Sequence, residues 1–346
     1  MTAAVRIAPG ADAVPGVLRR RLLTPTTAGF GALAAVFAVL DLAGATVPFA
    51  VQVVPFAASV LLFGLPHGAL DHLVPARIDP RIPRRRSVAA VVVLYVLVGG
   101  ATSAVWLTAP AVGFALFIVI TWFHWGQGDL WLDRALRERP DSRADAALTL
   151  LVRGALPMLV PLIAHPDDYA AVLGSMAGVV DPGASTGLGA LASVPVRAAA
   201  AAALLLLVAA HLLLRRRRGA PVGRAATEIA VLGAFFVAVP SVLAVGLYFT
   251  FWHAVRHIVR LELLDPAGHA ALAAGDLRRG LLRFARDAWP VTVCAVVLLA
   301  AVALASRSAG LGTYLLLIAA LTTPHTVVVT WMDRRQRPAP HATSRY

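Results

Sequence analysis

Apolar stretches long enough to cross a bilayer follow one another along almost the whole chain, separated by short arginine-bearing loops. That pattern excludes an ordinary water-soluble core. A spanning helix needs about 20 mostly apolar residues. Ten runs meet this need, at residues 27–44, 47–67, 87–108, 111–130, 145–164, 194–214, 223–239, 241–261, 287–306 and 309–331. Composition agrees, because 59% of the 346 residues are hydrophobic and 14% are charged. A soluble domain is about 45–50% apolar and about 25% charged. No polar linker divides the series. The expected fold is all-α, a polytopic integral membrane helical bundle of about ten helices. It comprises a cytoplasmic amino-terminal segment (1–26), a transmembrane catalytic bundle (27–331) and a cytoplasmic tail (332–346).

The net charge is +13, and every basic residue other than histidine is arginine. Such a balance can signal nucleic-acid binding. Here the arginines cluster between apolar runs, which is the positive-inside pattern, so nucleic acid is excluded as a partner. With the amino terminus inside, the cytoplasmic loops hold Arg77 and Arg84 to Arg86, then Arg134 to Arg143, then Arg215 to Arg218, then Arg278 to Arg286. The tail adds Arg334, Arg335 and Arg337. The longest outer loop, near 165–193, carries Asp167, Asp168 and Asp181 instead. Both termini are therefore expected on the cytoplasmic side of a multi-pass cell (inner) membrane protein. Arg6 and Arg19 to Arg21 precede the first run, which lacks a small-residue cleavage site and reads as an uncleaved helix. Cys294 is the single cysteine, so there is no intramolecular disulfide, and it is expected to be inert core.

Histidines sit inside these runs. An ionisable group at bilayer depth is costly, so it normally faces a protein interior or cavity. Imidazole is also the commonest metal ligand. His67 lies in Phe-Gly-Leu-Pro-His67-Gly-Ala-Leu-Asp71-His72, where proline and glycine interrupt the helix beside a potential pocket. Asp71 is four residues on and is placed to accept the second ring N–H of His67. An interfacial polar cluster is the alternative reading of Asp71 and His72. His124 stands among Trp122, Phe123 and Trp125, followed by Gly126, Gln127, Gly128 and Asp129. That sequence fits either an interfacial aromatic belt or a closely packed site. His253 and His257 share a helix face at i, i+4 and can chelate one ion. His325 follows Pro324 and reads as a supporting, substrate-proximal or structural group. His67, His124, His253, His257 and His325 all fall in the cytoplasmic halves of even-numbered runs, at a common depth. His165, His211, His269 and His341 read as solvated. Asp41 and Arg153 read as intramembrane charges with a packing role, in which they could pair with each other.

These motifs, in this order, resemble the Brp/Blh family of bacterial and archaeal β-carotene 15,15′-dioxygenases. The segments that carry the resemblance are Phe63 to His72, Phe123-His124-Trp125-Gly126, Trp252-His253-Ala-Val-Arg256-His257 and Pro324-His325. It covers roughly residues 55–335. It implies a membrane enzyme that cleaves the central double bond of β-carotene or a related carotenoid with O2, giving two retinals. It implies Fe(II) held by His67, His124, His253 and His257, which would be both metal ligands and catalytic residues. Asp71, His72, Asp129 and His325 would then be supporting or substrate-proximal groups. It further implies a functional link to a retinal-binding opsin. The long stretch between the second and third motifs departs from the family pattern and bears on substrate entry. A tunnel for the polyene is expected among Trp122, Phe123, Trp125, Tyr248, Phe249, Phe251 and Trp252.

Three other readings compete. A diiron hydroxylase or desaturase needs more clustered histidine boxes than the single HxxxH here. A bis-histidine haem protein needs histidines paired across helices. An ion or proton conductor would use Asp41, Arg153 and the histidines as a relay, but no internal repeat is visible. A retinal-binding opsin is excluded for this chain, because a Schiff base needs a lysine and there is none.

Overall fold

A computed structural model describes residues 13–136, 141–180, 190, 193–305 and 311–336. All regular structure among them is helical. The helices are α1 Val14–Leu42, α2 Phe49–Ile78, α3 Arg84–Thr108, α4 Pro110–Ala135, α5 Arg143–Ala164, α6 Pro166–Ala177, α7 Val194–Arg217, α8 Gly223–Ala238, α9 Ser241–Leu263, α10 Pro266–Ala273, α11 Leu277–Ala305 and α12 Leu311–Gln336. Nine of these are long and apolar enough to cross a membrane. The chain is a polytopic membrane bundle. Each of the ten expected runs forms a helix. The exception in length is α8, whose 16 residues rise about 24 Å, short of a hydrocarbon core of about 30 Å.

Burial separates centre from rim. In α9 and α5, 72% and 67% of the most apolar window is buried, against 6% in α3 and α7. The exposed valines and leucines of the rim, such as Val96, Leu97, Leu205 and Leu206, face lipid rather than water. The central core joins Phe30 of α1, Val152 and Leu156 of α5, Leu232 and Phe235 of α8, and Tyr248 and Trp252 of α9. A second core under the histidines joins Leu70, Ile258, Leu261, Phe284, Val329 and Met332. The first helix begins at Val14 rather than near residue 27, because Leu18, Leu22 and Leu23 pack against Leu132, Val259 and Leu272.

Where lipid replaces water, close packing and polar contacts hold helices together. Helices α4 and α5 cross so tightly that a Cβ on Gly126 would sit on the Leu150 carbonyl, and one on Gly154 on the Trp122 carbonyl. Buried ion pairs link the same region. Arg153 meets Glu228 at 2.5 Å, Arg224 meets Asp133 at 2.6 Å and Arg215 meets Asp133 at 3.0 Å. The expected Arg153–Asp41 pair is therefore corrected. The α5 arginine is turned toward α8, where Glu228 lies, while Asp41 is exposed near the end of α1. Cys294 is also exposed, on a lipid-facing stretch of α11 rather than in the core.

Candidate metal centre and its apolar cavity

Of the four helices that carry the clustered histidines, three are locally irregular or interrupted by proline. In α2 the chain runs through a wide π-type turn at Val60–Gly64, a short helix at Leu65–Ala69 and a tight 3-10 turn at Asp71–Leu73. Pro75 has no N–H to offer the Asp71 carbonyl four residues back, so a regular helix cannot continue there. In α9 a wide turn spans Tyr248–Ala254 and contains His253. Such π-bulges occur often at functional sites. In α12 Pro324 interrupts the backbone one residue before His325, and the Ala320 carbonyl it would have bonded lies against Gly99. Only α4 carries its histidine on an unbroken helix.

These elements bring five imidazoles into one dry cluster: His67, His124, His253, His257 and His325, each less than 9% exposed. Ring centroids lie 4.7 Å apart for His67 and His325, 4.7 Å for His124 and His325, 4.8 Å for His124 and His253, and 5.0 Å for His257 and His325. His67 stands 5.7 Å from His253 and 5.6 Å from His257. The i, i+4 pair on α9 thus contributes to two sides of the cluster.

The ring nitrogens identify what the cluster can hold. The Nε2 atoms of His253 and His124 face each other at 3.1 Å. Two imidazoles bound to one ion at about 2.1 Å, with an angle of about 90–110°, would place their nitrogens about 3.0–3.4 Å apart. His67 donates its Nδ1–H to the Gly64 carbonyl, which fixes the tautomer and leaves Nε2 as a lone-pair donor. The Nε2 atoms of His257 and His325 are buried and have no hydrogen-bond partner among the described residues. His67, His124 and His325 offer ligand atoms within 4.8 Å of one another, as do Asp71, His257 and His325. An all-imidazole set of this kind suits a borderline transition metal such as iron.

The supporting residues sit differently from their expected places. Asp71 does not accept from His67. It accepts from His325 Nδ1 at 2.8 Å and from Tyr95 hydroxyl at 2.7 Å, because the turn after Leu70 swings its carboxylate toward α12 and α3. His72 is only half-buried, and its Nδ1 donates to the Ala69 carbonyl at 2.8 Å, away from the cluster. Asp129 lies behind the rings. It accepts from Trp252 indole at 3.1 Å and pairs with Arg256 at 2.8 Å, with the Arg256 guanidinium stacked 3.5 Å from the Trp252 ring. His211, expected to be solvated, is buried on α7 at 1% exposure. His341 falls outside the described residues. Tyr95 and Glu228 were not singled out from the sequence. A lone tyrosine within an aliphatic run, and a glutamate within another, were the available signals.

The cluster opens on an apolar cavity of about 160 Å3. His67 and His124 form part of its wall, with Phe114, Phe117, Ile118, Met158, Val245 and Phe249 around it and Tyr169, Leu173 and Met176 of α6 at another side. The expected aromatic tunnel is thus partly corrected. Trp125 and Phe249 line the cavity, Tyr248 and Trp252 are sealed in the core, and Phe123 and Phe251 are exposed at the lipid face. Phe114 and Phe117, about three turns and two turns before His124 on α4, take the places of those two.

Fold and site together define a multi-pass membrane protein with a buried polyhistidine centre beside a hydrophobic chamber. The chain belongs to the β-carotene 15,15′-dioxygenase family, whose profile matches residues 58–333. A probable β-carotene 15,15′-dioxygenase Blh of Halobacterium salinarum is 39% identical over 339 residues, spanning 92% of this chain and 95% of the relative. A probable β-carotene 15,15′-dioxygenase Brp of the same species is 31% identical over 340 residues, spanning 90% and 92%. A β-carotene 15,15′-dioxygenase of an uncultured marine bacterium is 31% identical over 70 residues, 20% of this chain and 26% of the relative. No solved structure matches.

Proposed function

We propose that this chain is an iron-dependent β-carotene 15,15′-dioxygenase of the cell membrane. It cleaves the central double bond of β-carotene with O2 and releases two molecules of all-trans-retinal. The supporting observation is the juxtaposition of buried imidazoles with an apolar cavity in a chain of this family. One alkene and one O2 give two carbonyls, so the overall reaction needs no other reductant.

His67, His124, His253 and His257 are the residues that would hold the ion. Bound there, Fe(II) would supply the means to engage O2 and pass both oxygen atoms to the alkene carbons. The protein's own part is positioning. The cavity walls, Phe114, Phe117, Ile118 and Phe249 among them, offer a polyene dispersion contacts and no competing hydrogen bonds. The same walls keep water from the reacting carbons. The enclosed volume is close to that of an engineered cavity of about 150 Å3 that takes a single benzene. It therefore holds a segment of a C40 chain, and the remainder extends toward the surrounding lipid, where the substrate dissolves. With the short α8 counted as a tenth crossing, the arginine-rich ends of the bundle face the cytoplasm and both termini lie on that side. Retinal leaving the bundle enters the same membrane in which a retinal-binding opsin would reside.

The test is aerobic expression in a host that accumulates β-carotene, followed by chromatography for retinal. Retinal formation with loss of β-carotene is the expected result. Iron-loaded protein that leaves β-carotene and related carotenoids intact under O2 would overturn the reading.

A further inference from the structure

Only His325, among the five clustered rings, has three of the others within 5.0 Å. The family resemblance counts four ligands and leaves this ring in support. We propose that His325 is a fifth imidazole ligand of the centre, set in place by Asp71 and Tyr95. The proposal rests on the reading of a histidine-held metal ion and extends it.

The argument begins with the two nitrogens of one ring. Nδ1 lies 2.8 Å from Asp71 Oδ2, which also accepts from the Tyr95 hydroxyl, so in a neutral imidazole the proton sits on Nδ1. The lone pair is then on Nε2. That atom is buried and has no hydrogen-bond partner among the described residues. Leaving a buried acceptor unmatched costs about 1–3 kcal/mol, and a ring whose only task was to tie α12 to α2 would have no reason to point it inward. One ring nitrogen of His325 lies within 4.8 Å of ligand atoms on His67 and His124, and with Nδ1 held by Asp71 the free one is Nε2.

The orienting groups complete the case. Tyr95 donates to the same Asp71 oxygen at 2.7 Å, so two donors from α3 and α12 pin one carboxylate on α2. A carboxylate behind a metal-bound imidazole fixes the ring and raises its basicity.

The experiment uses full-length protein in detergent, stripped with a chelator and reloaded with Co(II) as a spectroscopic probe. His325→Asn keeps a side-chain N–H in the place of Nδ1, and so keeps the bond to Asp71, but removes Nε2. The wild type is expected to show the weak visible bands of a five-coordinate site. The asparagine variant is expected to show the several-fold stronger bands of a four-coordinate one. Asp71→Asn is expected to weaken Co(II) binding by about 10–100-fold, and it carries the test by itself if the His325 variant does not fold. A wild type that binds Co(II) with the same spectrum and affinity as both variants would overturn the fifth ligand and leave the metal reading standing. A wild type that binds no Co(II) would overturn both.

Discussion

The Asp71 carboxylate accepts a hydrogen bond from His325 Nδ1 at 2.8 Å, joining residues 254 apart in sequence, with 3% and 4% of the two side chains exposed. This contact locks the irregular stretch of α2 to the proline-broken stretch of α12. It orients one imidazole of the cluster from behind. Without it, the buried Asp71 carboxylate would lose one of the two donors that hold it, keeping the Tyr95 hydroxyl.

Single replacement of His67, His124, His253 or His257 by alanine should reduce retinal formation below detection in a β-carotene-producing host. Iron content of the purified variants should fall with it. A variant that keeps full activity would remove that residue from the ligand set.

Filling the chamber should separate substrate binding from metal binding. Val245 lines the cavity on α9, and Val245→Trp places an indole in space of about the size of one aromatic ring. Retinal output should drop by more than an order of magnitude while iron content stays at the wild-type level. Equal loss of both would place Val245 in the support of the histidines instead.

The α4–α5 crossing should tolerate no side chain at its closest point. Gly126→Ala puts a methyl group on the Leu150 carbonyl, and overpacking of this kind costs about 1–3 kcal/mol. Unfolding in detergent mixtures should move to lower denaturant by a corresponding amount. Gly29→Ala serves as the control, since a Cβ there meets nothing within 4 Å.

Arg153 and Glu228 should be costly to separate. Both are buried and 2.5 Å apart, and removing one member of such a pair costs about 3–5 kcal/mol. Arg153→Met should lower the unfolding midpoint strongly. The double variant with Glu228→Gln should recover much of the loss, because the uncompensated charge is then gone. Equal midpoints for the single and double variants would mean that Arg224, 3.4 Å from Glu228, already neutralises it.

The sequence spoke most clearly where one physical cause dominates. Helices in lipid must satisfy their own backbone, so the apolar runs located them, and the proline and arginine positions located most of their ends. Burying imidazole in such runs is costly enough that the clustered histidines stood out. Partnerships between side chains were less legible. Asp71 sits at the right spacing to serve His67 on a regular helix, but Pro75 enforces a tighter turn that aims it at His325. Arg153 and Asp41 looked like partners because both are charges within apolar runs. Their helices turn them apart, and Glu228 supplies the contact. The exposed Cys294 shows the same limit, since hydropathy does not distinguish a face buried in protein from one bathed in lipid.

The wide separation of Asp71 and His325 along the chain also orders events in time. α2 is synthesised long before α12, so a growing chain carries Asp71 through most of translation without its imidazole partner. The ring of histidines cannot close until α12 has entered the bundle. A fifth-ligand role for His325 would therefore withhold the finished centre from chains that do not yet carry α12.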